Sequence, residues 1–235
     1  MKGHEISIHI CFRPSLSEPV ELRHAEVTRN MQQIGPPLGW KGLQVPPVPD
    51  FGPDVVVGFQ VKYPIRGVVC GGTYNYRHKN QEDHSSDDDR LRTYFKTSNP
   101  HIDYRTTLRE QLPKLVAAYR SYRAIVFFDL YRDQYTGGSK KTNPTYNRLR
   151  ADKPINMDAR NNIFTLEPAM YWDALLCQRA LGYGRDEVIR RLQGKVPLVM
   201  PLMDGVYTVF SDDPDLSYEE FVAINDRCKP ILGLI

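Results

Sequence analysis

The stretch EISIHICF, residues 5–12, constrains the fold more than any other part of the chain. Ile6, Ile8, Ile10 and Phe12 alternate with Ser7, His9 and Cys11. That period of two becomes a single apolar face only in a strand. A strand with one apolar face needs partners beside it and a layer packed on it, so a sheet with helices is expected. Pro14 ends the strand. Ser17-Glu18-Pro19 then reads as a helix start, with a helix running to Ile34 and stopping at Gly35-Pro36-Pro37. The segment after it, GPPLGWKGLQVPPVPDFGPD, is dominated by Pro and Gly and reads as a wrapping loop or a surface arm.

The remaining elements follow the same logic. VVVGFQVKYP and RGVVCGGTYNY read as strands, and RHKNQEDHSSDDDR, which lacks periodicity, as a mobile loop. IDYRTTLREQLPKLVAAYRSY has helical spacing through Ile102, Leu108, Leu112, Leu115 and Tyr119, with Pro113 set to kink it. RAIVFFDLY is apolar over consecutive positions, as a central strand is. RDQYTGGSKKTNPTYNRLRADKP reads as a second long loop. EPAMYWDALLCQRALG places Met170, Trp172, Leu175, Leu176 and Leu181 on helical spacing up to Gly182. RDEVIRRLQG is a short helix. VPLVMPLMDGVYTVF is a hairpin turning at Asp204-Gly205. The closing helix has Ser217 as N-cap and Glu220 three residues on, a capping box.

Strands that can pair as neighbours, mixed with helices, imply an α+β fold with a mixed or antiparallel sheet rather than a doubly wound one. The 235 residues are read as a single domain, 1–235. Its core lies in 4–34 and 101–235, and its loops are 35–54, 77–92 and 132–160. Cys11, Cys70, Cys177 and Cys228 have no CxxC spacing and sit beside apolar runs, as free thiols of a reducing compartment do. The N-terminus has no signal-peptide pattern, and no apolar run is long enough to cross a membrane, so a cytoplasmic protein is expected.

Charge is small in sum and segregated in sequence. Residues 204–226 hold seven acids and no base, a block of −7 in a chain of net +3, so the rest carries +10. Metal and phosphate chemistry compete here with plain local roles for the same residues. Asp212, Asp213 and Asp215 with Glu219 and Glu220 lack the Gly and the register of a calcium loop. Asp204 serves a hairpin, Asp212 and Asp213 a Pro-containing turn, and the two Glu a helix N-terminus. Pro53-Asp54 with Gln60 and Lys62 is a distorted echo of the PD-(D/E)xK nuclease pattern, with Gln in place of an acid. His78 and His84 flank Glu82 and Asp83 in a polar loop. The basic stretch from Lys140 to Arg160 with Tyr146 has the composition of a nucleic-acid contact or of a solvated loop. GGSKKTN is not a phosphate loop, and GxSxG, HExxH and GxGxxG are absent.

YWDALLCQRALG, VIRRLQGKVPL, PLMDGVYTVFSDDP and the final FVAIN…ILGL resemble the immunity protein 52 family of bacterial polymorphic toxin systems. The likeness runs from Phe164 to Leu234, with the N-terminal strand-helix pair. It implies a cytoplasmic protein, without cofactor, metal or turnover, that binds and neutralises a secreted toxin of the restriction-endonuclease fold delivered by a type VI secretion apparatus. No direct nucleic-acid contact and no membrane contact are expected. A nuclease presents a basic groove, so an inhibitor can meet it with carboxylates and aromatic anchors. The candidate surface is Asp212, Asp213, Asp215, Glu219 and Glu220 with Tyr207 and Tyr218, and Glu82 with Asp87, Asp88 and Asp89 is a second acidic option. The toxin, its DNA or RNA target, active-site plugging against allostery, and the oligomeric state stay open.

Overall fold

A computed structural model describes residues 3–49, 56–77, 83–137 and 158–234. Its frame is one eight-stranded sheet in the order β2-β3-β4-β1-β5-β6-β8-β7. The strands are β1 (Glu5–Phe12), β2 (Val57–Val61), β3 (Val69–Tyr74), β4 (Asp89–Lys96), β5 (Arg123–Phe128), β6 (Ala169–Trp172), β7 (Leu198–Leu202) and β8 (Gly205–Val209). Every neighbouring pair is antiparallel. The α+β expectation holds, with the sheet antiparallel throughout. The isoleucine strand lies at its centre, paired to β4 on one side and β5 on the other.

Alternation sorts the two faces. Ile6, Ile8 and Ile10 lie with Leu91, Phe95, Ala124, Val126 and Phe128 on one face, all buried. Helix α1 (Val20–Met31) contributes Val20, Val27 and Met31 to the core at helical spacing. It begins one residue after Pro19, without the Ser17 cap expected. Arg23 on the same stripe is fully buried, its guanidinium 3.7 Å from the Phe12 ring centre and 4.6 Å from that of Tyr119, donating to the Tyr119 carbonyl. The next helical segment is α2 (Tyr104–Thr106), a π-helix (Thr107–Gln111) and α3 (Leu112–Ala118). Pro113 has no N–H for the carbonyl four residues back, and the wider π turn lies just ahead of it, where the expected kink was placed.

Three expectations are corrected. The polar stretch 77–92 is not one loop. It includes a 3₁₀ turn at Ser85–Asp87 and the start of β4. EPAMYWDALLCQRALG is not one helix. Ala169–Trp172 is β6, Asp173 caps the next element through its side chain at 2.7 Å from the Leu176 nitrogen, and α5 covers Ala174–Leu181. All four β6 residues are buried, and a strand enclosed on both faces has no alternation to betray it. In the loop read over 132–160, α4 occupies Tyr131–Thr136, and residues 138–157 lie outside the described ones.

The hairpin and the last helix are as expected. β7 and β8 turn through Met203 and Asp204, with Leu202 opposite Gly205. Gly205 is required, because a Cβ there would lie 2.0 Å from the Trp172 carbonyl oxygen. Helix α6 spans Arg185–Leu192, and α7 spans Tyr218–Leu232 with the Ser217–Glu220 capping box formed. Of the Pro-rich segment, 35–49 is described, and it wraps: Leu38 and Trp40 are buried, and the Tyr63 hydroxyl donates to the Leu38 carbonyl at 2.5 Å. The four cysteines are free and buried. Among the described residues no helix is long and apolar enough to cross a membrane.

Candidate docking surfaces

Where β5 ends, the chain makes a sharp turn. Asp129 sits in the left-handed region at φ 47°. Its carboxylate accepts from the Glu5 nitrogen at 2.7 Å and lies 2.6 Å from His4 Nδ1, which locks the turn to the start of β1. Leu130 is then thrown outward, 73% exposed. Tyr131, at the start of α4, meets Tyr218 edge-on at 5.5 Å and Phe221 at 5.8 Å. Asp213, Asp215, Glu219 and Glu220 are exposed around the N-terminus of α7. Burial, then the nearby charges of Asp129, Glu219 and Glu220, push the Tyr131 phenol upward. Burial and then Glu219 do the same to Tyr218. Ser217 donors hold the Glu220 carboxyl below its ordinary value, as a capping box does. The result is an aromatic and aliphatic centre with an acidic rim.

The sequence-predicted residues divide accordingly. Asp213, Asp215, Glu219 and Glu220 share this surface with the half-buried Tyr218. Asp212 does not present a free carboxylate. It is 9% exposed and lies 2.6 Å from Arg109 Nε and 3.3 Å from Arg105 Nε. Tyr207 is no anchor either. It is fully buried and donates to the Leu108 carbonyl at 2.6 Å. The second acidic option fails on burial as well. Asp87, Asp88 and Asp89 are at most 7% exposed. Asp89 takes Arg77 in a two-pronged pair at 2.8 and 3.0 Å. Asp88 accepts from Arg160 Nε at 2.8 Å and from the Tyr122 hydroxyl at 2.5 Å. A triple acid in a polar run looks solvated, but all three turn inward, and arginines meet two of them, Arg160 at Asp88 and Arg77 at Asp89. Asp83 pairs with Arg179 at 2.6 Å, and His84 lies 3.1 Å from Asp158. Glu82, His78 and Tyr146 lie outside the described residues, as does the Pro53-Asp54 half of the nuclease-like pattern. Gln60 and Lys62 are exposed at β2 and just after it.

Sequence reasoning missed a second surface. Opposite the isoleucine face, His9, Arg92, Arg90 and Arg123 project from β1, β4 and β5 onto one another's registers. Arg132 lies 5.2 Å from the Phe127 ring centre beside them. Burial, then Arg92, Arg123, Arg90 and Arg132, push the His9 imidazole down to about 3. The signal was present in DRLRTYFK, where Arg90, Arg92 and Tyr94 alternate with Leu91, Thr93 and Phe95. It was hidden because the strand follows a run of acids. At the β2–β4 end this face stays open, with Val69 57% and Tyr94 41% exposed, while at the far end Trp172, Val206 and Thr208 are fully buried.

No family model matches the sequence, and no curated protein matches it. A solved structure does. Its fold is similar to that of the Pseudomonas aeruginosa T6SS protein PA0821. The two chains are 11% identical with a TM-score of 0.53, and the superposition covers 97% of this chain and 74% of the other. At that identity the likeness establishes the shared fold alone.

Proposed function

We propose that the chain is an immunity-type binding protein that neutralises a cognate toxin by docking onto it, without turnover of its own. The observation that carries this reading is the acid-rimmed surface around Leu130, Tyr131 and Tyr218. Large side chains ringed by polar groups that exclude water are where binding energy concentrates. An acidic rim accelerates association with a basic partner such as a nuclease groove. The sequence resemblance supports the same reading. So does the secretion-system association of the protein whose fold is similar.

The test begins at the neighbouring reading frames: a nuclease-domain effector encoded there is co-expressed with the chain, read as survival, and the purified pair is titrated. Survival is expected, with binding that weakens as salt rises. The triple substitution Asp213→Lys, Asp215→Lys and Glu219→Lys should weaken binding at least about tenfold and flatten the salt dependence. Unchanged affinity and slope would assign the toxin to another surface. Metal-dependent DNA cleavage by the purified chain, lost in Lys62→Ala, would replace the reading with the nuclease one.

A further inference from the structure

Buried and half-buried arginines elsewhere pair with carboxylates, Arg13 with Asp173, Arg77 with Asp89 and Arg160 with Asp88 among them. The sheet face around His9 holds a group of half-buried arginines that do not. Among the described residues Arg90, Arg92, Arg123 and Arg132 form no salt bridge. Arg90 donates to the Ser85 carbonyl at 2.6 Å and Arg123 to that of Ala159 at 3.2 Å, contacts that orient a guanidinium without neutralising it. The Nε atoms of Arg92 and Arg123 are buried with no hydrogen-bond partner, as is the Ser7 hydroxyl on the same face. Half-buried like charges repel one another, and the carboxylates of Asp88 on Arg123 and of Glu167 on Arg132 act from beyond salt-bridge distance.

The face has room for a ligand. A cavity of about 470 Å³ lies over β2, β3 and β4, with Arg90, Arg92 and Tyr94 on its wall. Gly58 and Gly71 supply no side chain to fill it, and a Cβ at Gly58 would meet nothing nearer than the Gly72 carbonyl at 3.6 Å. A second cavity of about 140 Å³ holds Arg123 and Arg132. β1 separates the two, so their nearest walls, on β4 and β5, stand two strand spacings apart, roughly 10 Å. One small anion does not span that distance; an extended polyanion does. Between the cavities the surface is aromatic. His9 lies edge-on to Tyr94 at 6.3 Å and to Phe127 at 4.8 Å.

We infer that this face binds single-stranded nucleic acid, the arginines taking phosphates and Tyr94 with His9 offering stacking surface to bases. Guanidinium groups interleaved with aromatic rings on an open sheet are the two components such binding needs. An acidic peptide would use the arginines and leave the rings idle. Whole-chain charge gives no hint of this, because the sum nearly cancels while the arrangement does not. The acid-rimmed surface of the proposed docking function takes no part.

Fluorescence anisotropy with labelled single-stranded DNA and RNA oligonucleotides tests the inference on the full chain. Binding that weakens steeply with salt is expected. Arg92→Ala with Arg132→Ala should reduce affinity at least about tenfold and lower the salt slope by about two. Tyr94→Ala, at an exposed position that leaves the core intact, should reduce affinity about tenfold with the slope unchanged. Arg92→Lys should retain most of the binding, which separates loss of charge from loss of fold. Three results would each overturn the inference: no oligonucleotide binding by the wild type, wild-type affinity retained in both the Tyr94 and the arginine variants, or competition by polyglutamate as effective as by unlabelled oligonucleotide. The last would point to an acidic protein partner. Toxin neutralisation by the same variants is read separately and does not bear on it.

Discussion

Glu167 is a carboxyl enclosed by the fold. It is 1% exposed; Oε1 accepts from the Thr165 hydroxyl at 2.6 Å, and Oε2 has no partner. Burial pushes it up to about 7, against the pull of Thr165 and Arg132. The folded chain therefore keeps this proton between about 4.5 and 7, where the unfolded chain releases it. Its contribution to stability is present below that window and is lost as pH rises through it. Glu167→Gln should leave stability near pH 5 little changed and raise it by a few kcal/mol near pH 8, read from urea unfolding at both values. His9 has the opposite sign. Its folded value of about 3 lies below the ordinary 6.5, so stability is lost as pH falls through that interval. His9→Gln should flatten the acid limb of a melting-temperature profile.

Junctions between elements hold the most sensitive positions. Gly205→Ala drives a methyl against the Trp172 carbonyl at the end of the β6–β8 pairing, and should cost about 3 kcal/mol in urea unfolding. Ser217→Ala removes a hydroxyl that caps α7 at 3.2 Å and should cost about 1 kcal/mol. Asp173→Ala should cost more than Ser217→Ala, because Asp173 caps α5 and also receives Arg13. Elements with a local signature were readable in the sequence: the alternating β1, the Asp-Gly hairpin, the capping box of α7. β4 and β6 were not. β4 begins with Asp89, an acid buried by Arg77, and β6 is apolar at every position because both its faces are covered. Each was obscured by a partner remote in the chain.

Among the described residues the sheet is enclosed at its β8 end and bare on one face at its β2–β4 end. Long-range ion pairs bind this arrangement together. Asp88 joins the turn before β4 to Arg160 and to Tyr122 beside β5, so Asp88→Ala should cost about 3–5 kcal/mol, seen as a lower urea midpoint. The candidate sites divide at this scale too. Four of the five acids expected at the C-terminal surface are exposed there, since turn and helix-start residues lie at the surface unless a distant group draws them in, as Arg109 does Asp212. The other acidic option is interior, and the arginine face could not be assembled from one line of text: His9, Arg92 and Arg123 become neighbours only when β4 and β5 flank β1.

The residues alone determined which segments are strands or helices wherever the pattern repeats over a few positions, along with the turn chemistry, the caps and the α+β class. Tertiary structure alone decided the strand order, which acids turn inward and which face of the sheet stays uncovered. Periodicity and capping act within a turn or two of chain, while burial of a charge depends on whether an opposite charge arrives from a distant segment.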